Sequence, residues 1–420
     1  KAFHFVFSNI VLASQYMRIS VIFIIFFSEI LYAQRLALPL RCEISLAGNY
    51  AELRRNHFHM GLDFKTEGKE NLPVYAVADG YISRVLISSN GYGRCLYIHH
   101  PALGITSVYA HLNRFADNVE SWCDRAQYAL LQNTLDTLLS PNSFPIRKGS
   151  PIALSGNTGT STGPHLHFEI RDMYTEKTIN PLHYYPQIVD SKKPLLNHII
   201  LYSLKDNYSQ YIQKLDLKSS THIISNSRIG LAVSTTDYIQ NSTSTMGIYQ
   251  IRIYENDLLK YRLQFDSLDF GWQSHIKSVS NYSLPYSDNY KLFYESCDFN
   301  ITDPSSFDGI IQFDENESKK IRIEVLDFQG NQAVQNLTLQ YRPPISKKQS
   351  TSSIACDREY TLHLSEVKIK FPAYSLPSPE PIKSRLVAKS KSTDILNFQL
   401  KSENDAILKP YQIYYTPKTN

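Results

Sequence analysis

Between Leu38 and about Asp190 the chain is cut into short runs alternating apolar and polar residues, each closed by glycine, proline, asparagine or aspartate. A period of two fits a half-buried strand and not a helix, so this stretch is confined to antiparallel β architecture. "PVYAVADGYISRVLI" (residues 73–87) predicts two strands turning at Asp79-Gly80. "GRCLYIHHP" and "ITSVYAHL" predict an adjacent pair joined through Pro101 to Gly104, and "PIALSGNTG" a further strand. One stretch breaks the pattern. From Phe115 to about Leu139 the spacing is helical and lacks glycine and proline, which predicts a helical insertion ended by Pro141.

The same logic extends beyond "SKKP" at 191–194. Runs such as "SRIGLAVSTTD", "GIYQIRIYEND" and "IRIEVLDFQGN", with turns at "END" and "QGN", predict a β-sandwich over 195–344. "SKKQSTSS" reads as a linker, and 355–420 as a small β-rich unit. The expected class is therefore mainly β: an antiparallel β-sheet domain with a helical insertion over 34–190, then β-sandwich-like C-terminal domains. The 29 tyrosines and 20 phenylalanines, against only 16 glycines, agree with strand-rich folding.

Residues 1–33 stand apart as upstream residues and a signal peptide. "MRISVIFIIFFSEILYAQ" starts at Met17 with a basic residue, runs apolar from Ile19 to Phe27, and reaches Ala33. That core of about nine residues falls short of the ~20 that span a bilayer, so no stable transmembrane segment is expected after cleavage. The expected location is the periplasm or cell envelope. Five scattered cysteines without a CxxC pair are read as small buried hydrophobes rather than zinc ligands. A net charge of +4 gives no case for nucleic-acid binding.

Histidine placement carries the chemistry. Seven of the thirteen histidines lie between positions 57 and 167. In "GPHLHFEI" (163–170) strand alternation puts His165, His167 and Glu169 on one face and Leu166, Phe168 and Ile170 on the other. Such a polar face is costly when buried unless a metal, a partner or water satisfies it. "NHFHMGLDFKT" sets His59 and Asp63 four apart, about 13 Å along a straight strand, so binding one ion requires a bend, which Gly61 permits. His111 ends the strand of "VYAHLNRF". The loop "SGNTGTSTGP" lacks the Lys-Ser/Thr of a phosphate cradle and reads as a tight turn delivering His165 and His167.

Taken together, "HMGLD", "YAHL" and "HLHFE", with "GNTGTSTGPHLHFEIRD", resemble the lysostaphin-type (LytM-like) zinc endopeptidases of bacterial peptidoglycan, over roughly residues 46–186. The resemblance implies one Zn2+ per chain, held by His59, Asp63 and His167, with His165 and His111 as unligated catalytic histidines. All five positions carry the expected residue types, unlike the degenerate, zinc-free members. Two imidazoles and a carboxylate leave a fourth tetrahedral position for water, as catalytic zinc sites do. No histidine precedes a glutamate, so the HExxH base is missing, and His165 as general base with His111 as oxyanion donor can replace it. The reverse order of those roles also satisfies the chemistry.

His57 is a competing ligand by position, though the resemblance places it at a variable one. His99 and His100 read as structural or exposed, Glu169 as a partner behind a ligand, and Asn56 and Tyr109 as cleft-lining. The implied partners are peptidoglycan stem peptides, and envelope division or hydrolase-regulating proteins through the C-terminal β domains. Two other readings keep the same fold: a silent module activating another wall hydrolase, and a zinc D,D-carboxypeptidase.

Overall fold

The structure is a computed structural model describing residues 36–415 apart from 55–56, 142, 206–207, 241, 281–288, 294–307, 344–352, 355–358, 365–366, 374–379, 390–393 and 401–411. The signal-peptide expectation for 1–33 and the Asn56 assignment lie outside the described residues. No helix among the described residues is long and apolar enough to cross a membrane. Chain contacts define two compact units. The first takes in Thr66–Leu166 and Pro181–Ile188 with the described residues before Ile44; the second takes in Ile44–Lys65, His167–Asn180 and the chain from Val189 on.

In chain order the strands begin with β1 (Leu46–Gly48), β2 (Leu53–Arg54), β3 (His57–Phe58) and β4 (Leu62–Lys65). β5 (Pro73–Tyr75), β6 (Gly80–Ile87), β7 (Arg94–His100), β8 (Ile105–Leu112) and β9 (Arg114–Phe115) follow. Helix α1 (Asp117–Leu130) precedes β10 (Leu135–Leu138), β11 (Pro145–Ile146), β12 (Pro151–Leu154), β13 (His165–Asp172) and β14 (Thr178–Ile179).

In the first unit β8, β7, β6 and β10 lie side by side, and β5, β12 and β9 form a second sheet. β8 is buried along its whole length: Cys95, Tyr97, Val108 and Ala110 cluster on one face of β7 and β8, while Leu96 and Ile98 are buried on the other, so both faces are covered. β7 and β8 pair antiparallel across Pro101–Gly104, as expected. The hairpin expected at Asp79-Gly80 is not formed: β5 pairs with β12, while β6 pairs with β7. Gly80 serves close approach instead, because a Cβ there would lie 2.0 Å from the His99 carbonyl. Asp79 is held at the strand start, its Oδ1 accepting from the Lys148 backbone N–H at 2.7 Å.

The helical insertion is shorter than its pattern. Leu131 turns left-handed (φ 52°) and its N–H bonds back to the Gln127 and Tyr128 carbonyls, closing α1. The remainder extends along β6 as β10, with Leu135 opposite Ile87 and buried.

The second unit joins the motif-bearing strands to the C-terminal half. β1, β4 and β13 are neighbours, with a bulge between Leu46 and Gly48 that sets Gly48 opposite Asp63. β15 (Leu195–Lys205), β16 (Tyr208–Leu215), β17 (Thr221–Ile224), β18 (Arg228–Thr236), β19 (Gln250–Glu255), β20 (Leu258–Gln264) and β21 (Ser267–Leu268) lead to β22 (Asn289–Lys291), β23 (Ile311–Gln312), β24 (Ser318–Leu326) and β25 (Gln332–Tyr341). They build two five-stranded sheets, one ordered β16-β15-β18-β22 with β23 on β18, the other β17-β25-β24-β19-β20. Phe265, after β20, meets Tyr290 of β22 with ring centroids 6.2 Å apart, so apolar faces meet as in a sandwich. β14 pairs on one side with β13 and on the other with β21, which stitches the sandwich to the histidine-bearing strand. Six further strands between Ser353 and Tyr415 form two three-stranded sheets.

Candidate metal centre

His59 follows β3, whose hairpin with β2 sets Arg54 opposite His57. The chain leaves strand geometry at His59 and re-enters it at Leu62 as β4, and this break shortens the span to Asp63. Gly61 sits in the break, though its role is space rather than a left-handed turn: a Cβ there would meet the Phe168 carbonyl at 2.3 Å. β13 supplies His167. Behind it Leu166, Phe168 and Ile170 are fully buried, each contributing about 2 kcal/mol and pinning the strand.

These segments bring His59, Asp63 and His167 into one buried cluster able to hold a metal ion. His59 Nε2 lies 3.0 Å from Asp63 Oδ1 and 3.0 Å from His167 Nδ1, and the last two atoms are 2.9 Å apart. The remaining polar atoms all face outward to partners. His59 Nδ1–H donates to the Asn49 carbonyl at 2.6 Å. His167 Nε2–H donates to Glu169 Oε1 at 2.9 Å, and Arg171 donates to Glu169 Oε2 through Nε at 2.7 Å. Asp63 Oδ2 accepts from Arg54 Nη2 at 2.6 Å. Each of the three side chains is thus held by its outer atom with one donor atom turned inward, an arrangement that would support metal binding.

The carboxylates of Asp63 and Glu169 draw positive charge into the cluster. Burial alone would lower the His167 pKa, but hydrogen bonds and charge from Asp63 and Glu169 outweigh it and raise it to about 9. His59 moves down: burial dominates, and the Asp63 carboxylate only partly offsets it. Arg54 and Asn49 escaped the sequence reading. Arg54 stands in "ELRRNHFH", but nothing in that string reveals which arginine turns onto Asp63.

His111 and His165 come together in the other unit, with ring centroids 4.7 Å apart. His111 adopts a left-handed backbone, φ 58°, a costly state for a residue other than glycine. Its Nδ1–H donates to the Thr158 carbonyl at 2.8 Å. His165 Nδ1–H donates to the Gly163 carbonyl at 2.8 Å. The glycine-rich loop therefore holds both rings. It packs tightly to do so: Gly159 (φ 75°) leaves no room for a Cβ, which would sit 2.3 Å from the Gly93 nitrogen.

The other singled-out residues fall elsewhere. His57 is exposed and stays outside the cluster. His100 is fully buried, bonded to the Asp79 carbonyl at 2.8 Å and to Ser107 Oγ at 2.7 Å, as a structural histidine should be. Tyr109 is corrected. It is fully buried, its hydroxyl accepting from Ser107 and from the Val77 N–H, so it belongs to the core and not to a cleft. Cys95 and Cys123 are buried and not disulfide-bonded, and Cys42 is half-buried and likewise not disulfide-bonded.

The sequence profile of Peptidase family M23 matches residues 57–128 and 125–181. A lipoprotein NlpD of Yersinia enterocolitica is 32% identical over 120 residues, covering 29% of this chain and 96% of that one. The DD-carboxypeptidase/endopeptidase Mpg of Neisseria meningitidis is 32% identical over 124 residues, covering 30% of this chain and 22% of that protein. This chain spans about a fifth of the length of the first curated relatives it matches. Among solved structures, the catalytic domain of lysostaphin from Staphylococcus simulans aligns at 20% identity over 34% of this chain and 92% of that chain, with a TM-score of 0.26.

Proposed function

The chain belongs to peptidase family M23, and on that premise we propose that it is an exported zinc endopeptidase hydrolysing peptide cross-links of bacterial peptidoglycan. One observation carries the reading: three inward donor atoms of His59, Asp63 and His167 separated by 2.9–3.0 Å, each with its outer atom engaged. Tetrahedral zinc bonded to nitrogen and oxygen at about 2.0–2.1 Å spaces its ligands about 3.3 Å apart. The donor set fits zinc with slight opening of the triangle. Bound there, zinc would supply Lewis acidity toward the scissile carbonyl and an acidified water.

The chain's own residues do the rest. Asn49 and Glu169 hold the two ligand rings in register, and Arg54 keeps Asp63 turned with one oxygen inward. His165 and His111 take the proton-handling roles. Because each donates Nδ1–H to a backbone carbonyl, a neutral ring carries its lone pair on Nε2, the form a general base needs. A ring holding developing negative charge through Nε2 must be the imidazolium. One histidine therefore acts neutral and the other charged.

The test is mass spectrometry of muropeptides released from purified sacculi by the full chain, with and without a chelator, alongside zinc stoichiometry. The reading requires one zinc in the His59 cluster and chelator-sensitive opening of cross-links, lost in His167→Ala. Release of terminal D-alanine alone would replace it with a D,D-carboxypeptidase. Zinc-independent stimulation of a second hydrolase, without cleavage by this chain, would replace it with an activator.

A further inference from the structure

A second cluster of acidic side chains lies in the β-sandwich, away from the motif residues. Asp190 precedes β15, Asp237 directly follows β18 and Asp327 directly follows β24. One carboxylate oxygen from each lies within 4.8 Å of the others. Asp237 is 3% exposed, and its Oδ1 is buried with no hydrogen-bond partner. A buried carboxylate with one orphaned oxygen, standing within 4.8 Å of two more carboxylates, is unfavourable unless a cation or protons compensate it.

The surroundings are built rather than accidental. Asn331 N–H and Nδ2–H hold both oxygens of Asp327, at 2.8 and 2.7 Å, and Nδ2 also donates to the Asp190 carbonyl at 3.0 Å. Asp190 Oδ1 accepts from the Lys192 N–H at 2.9 Å. The Asp237 carbonyl accepts from the Met246 N–H at 2.9 Å. Lys192 brings one nearby positive charge, but its Nζ donates to the Ile239 carbonyl at 3.3 Å, and three carboxylates remain against it. We infer that Asp190, Asp237 and Asp327 form a calcium site tying the entry of the sandwich to the ends of β18 and β24. The donors are all oxygen, which selects a hard cation over zinc. Three protein carboxylates converging on one point suit calcium, whereas magnesium is bound through one or two carboxylates and keeps several waters.

The experiment titrates calcium into chelator-treated full chain by calorimetry, with thermal unfolding followed in parallel. The expected result is saturable binding of one calcium and a rise in Tm. Asp237→Asn should abolish both while zinc stoichiometry and the far-UV spectrum stay unchanged. Asp327→Asn should do the same, and Asp237→Asn alone decides the matter if Asp327→Asn does not fold. Absence of calcium binding in the folded wild type, an equal response in Asp237→Asn, or an equal response to magnesium would each overturn the assignment.

Discussion

Arg54 grips Asp63 from behind. Its Nη2 lies 2.6 Å from Asp63 Oδ2, while Oδ1 of the same carboxylate sits 3.0 Å from His59 Nε2 and 2.9 Å from His167 Nδ1. One carboxylate is thereby split into a clamped oxygen and an inward oxygen. Without the clamp the side chain regains rotational freedom, and binding an ion must then freeze it. Arg54→Ala is expected to weaken zinc binding by roughly 10- to 100-fold, the usual cost of losing a residue behind a ligand. Competition against a chromophoric chelator measures it, and unchanged affinity in a folded variant would remove Arg54 from the site.

Glu169 divides its two oxygens between His167 Nε2–H and Arg171. Both Glu169 and Arg171 are buried, at 0% and 6% exposure. Glu169→Ala removes the carboxylate that accepts from Arg171 at 2.6–2.7 Å, whereas Glu176 lies farther off, at 3.3 Å. That should cost about 3–5 kcal/mol in urea unfolding. Glu169→Gln retains an acceptor for His167 and should cost less. Equal losses for the two variants would show that the neutral acceptor contributes nothing and that the carboxylate charge carries the whole effect.

The sandwich braces the metal cluster. Asn49, whose carbonyl holds His59, is itself bonded in both directions to Gly247: Nδ2–H to the Gly247 carbonyl and Oδ1 from the Gly247 N–H, each at 2.7 Å. Ser242 Oγ–H adds a bond to the Leu46 carbonyl at 2.8 Å. A fragment ending at residue 194 loses all of these and the β14–β21 pairing. It is expected to unfold at lower temperature and bind zinc more weakly than the full chain. A fragment with unchanged Tm and faster cleavage would mean that the sandwich covers the site rather than supporting it.

Much of this was legible in the sequence, for a physical reason. Side-chain alternation in "HLHFEI" fixes which residues share a face, so the His167–Glu169 contact follows from the strand itself. His59 and Asp63 needed a bend, and the chain does bend there. Gly61, however, is glycine because Phe168 of a neighbouring segment leaves no room, which no local pattern encodes. The same blindness misread Asp79-Gly80 as a turn, when Gly80 makes room for the His99 carbonyl. Arg54 and Asn49 act through tertiary neighbours, and Asp190, Asp237 and Asp327 are spread over more than a hundred residues. Clusters of that kind become visible only once strand ends converge.

Asp237 also predicts how stability varies with pH once calcium is removed. Burial first, and then the neighbouring Asp327 and Asp190 charges, push its pKa from 3.8 up to about 7; Lys192 and the Tyr238 backbone bond pull the other way. The folded chain therefore keeps this proton over a range in which the unfolded chain has released it. Since stability falls with pH wherever the folded state binds more protons, the contribution is fully present below about pH 4 and is lost as pH rises toward 7. Each unit of separation is worth about 1.4 kcal/mol, so the swing is a few kcal/mol. Asp237→Asn carries no such proton, and urea unfolding from pH 5 to 8 in chelator should show wild type falling progressively below the variant. Parallel curves for the two proteins would place the Asp237 carboxyl at an ordinary pKa, with no charge strain in the cluster for a cation to relieve.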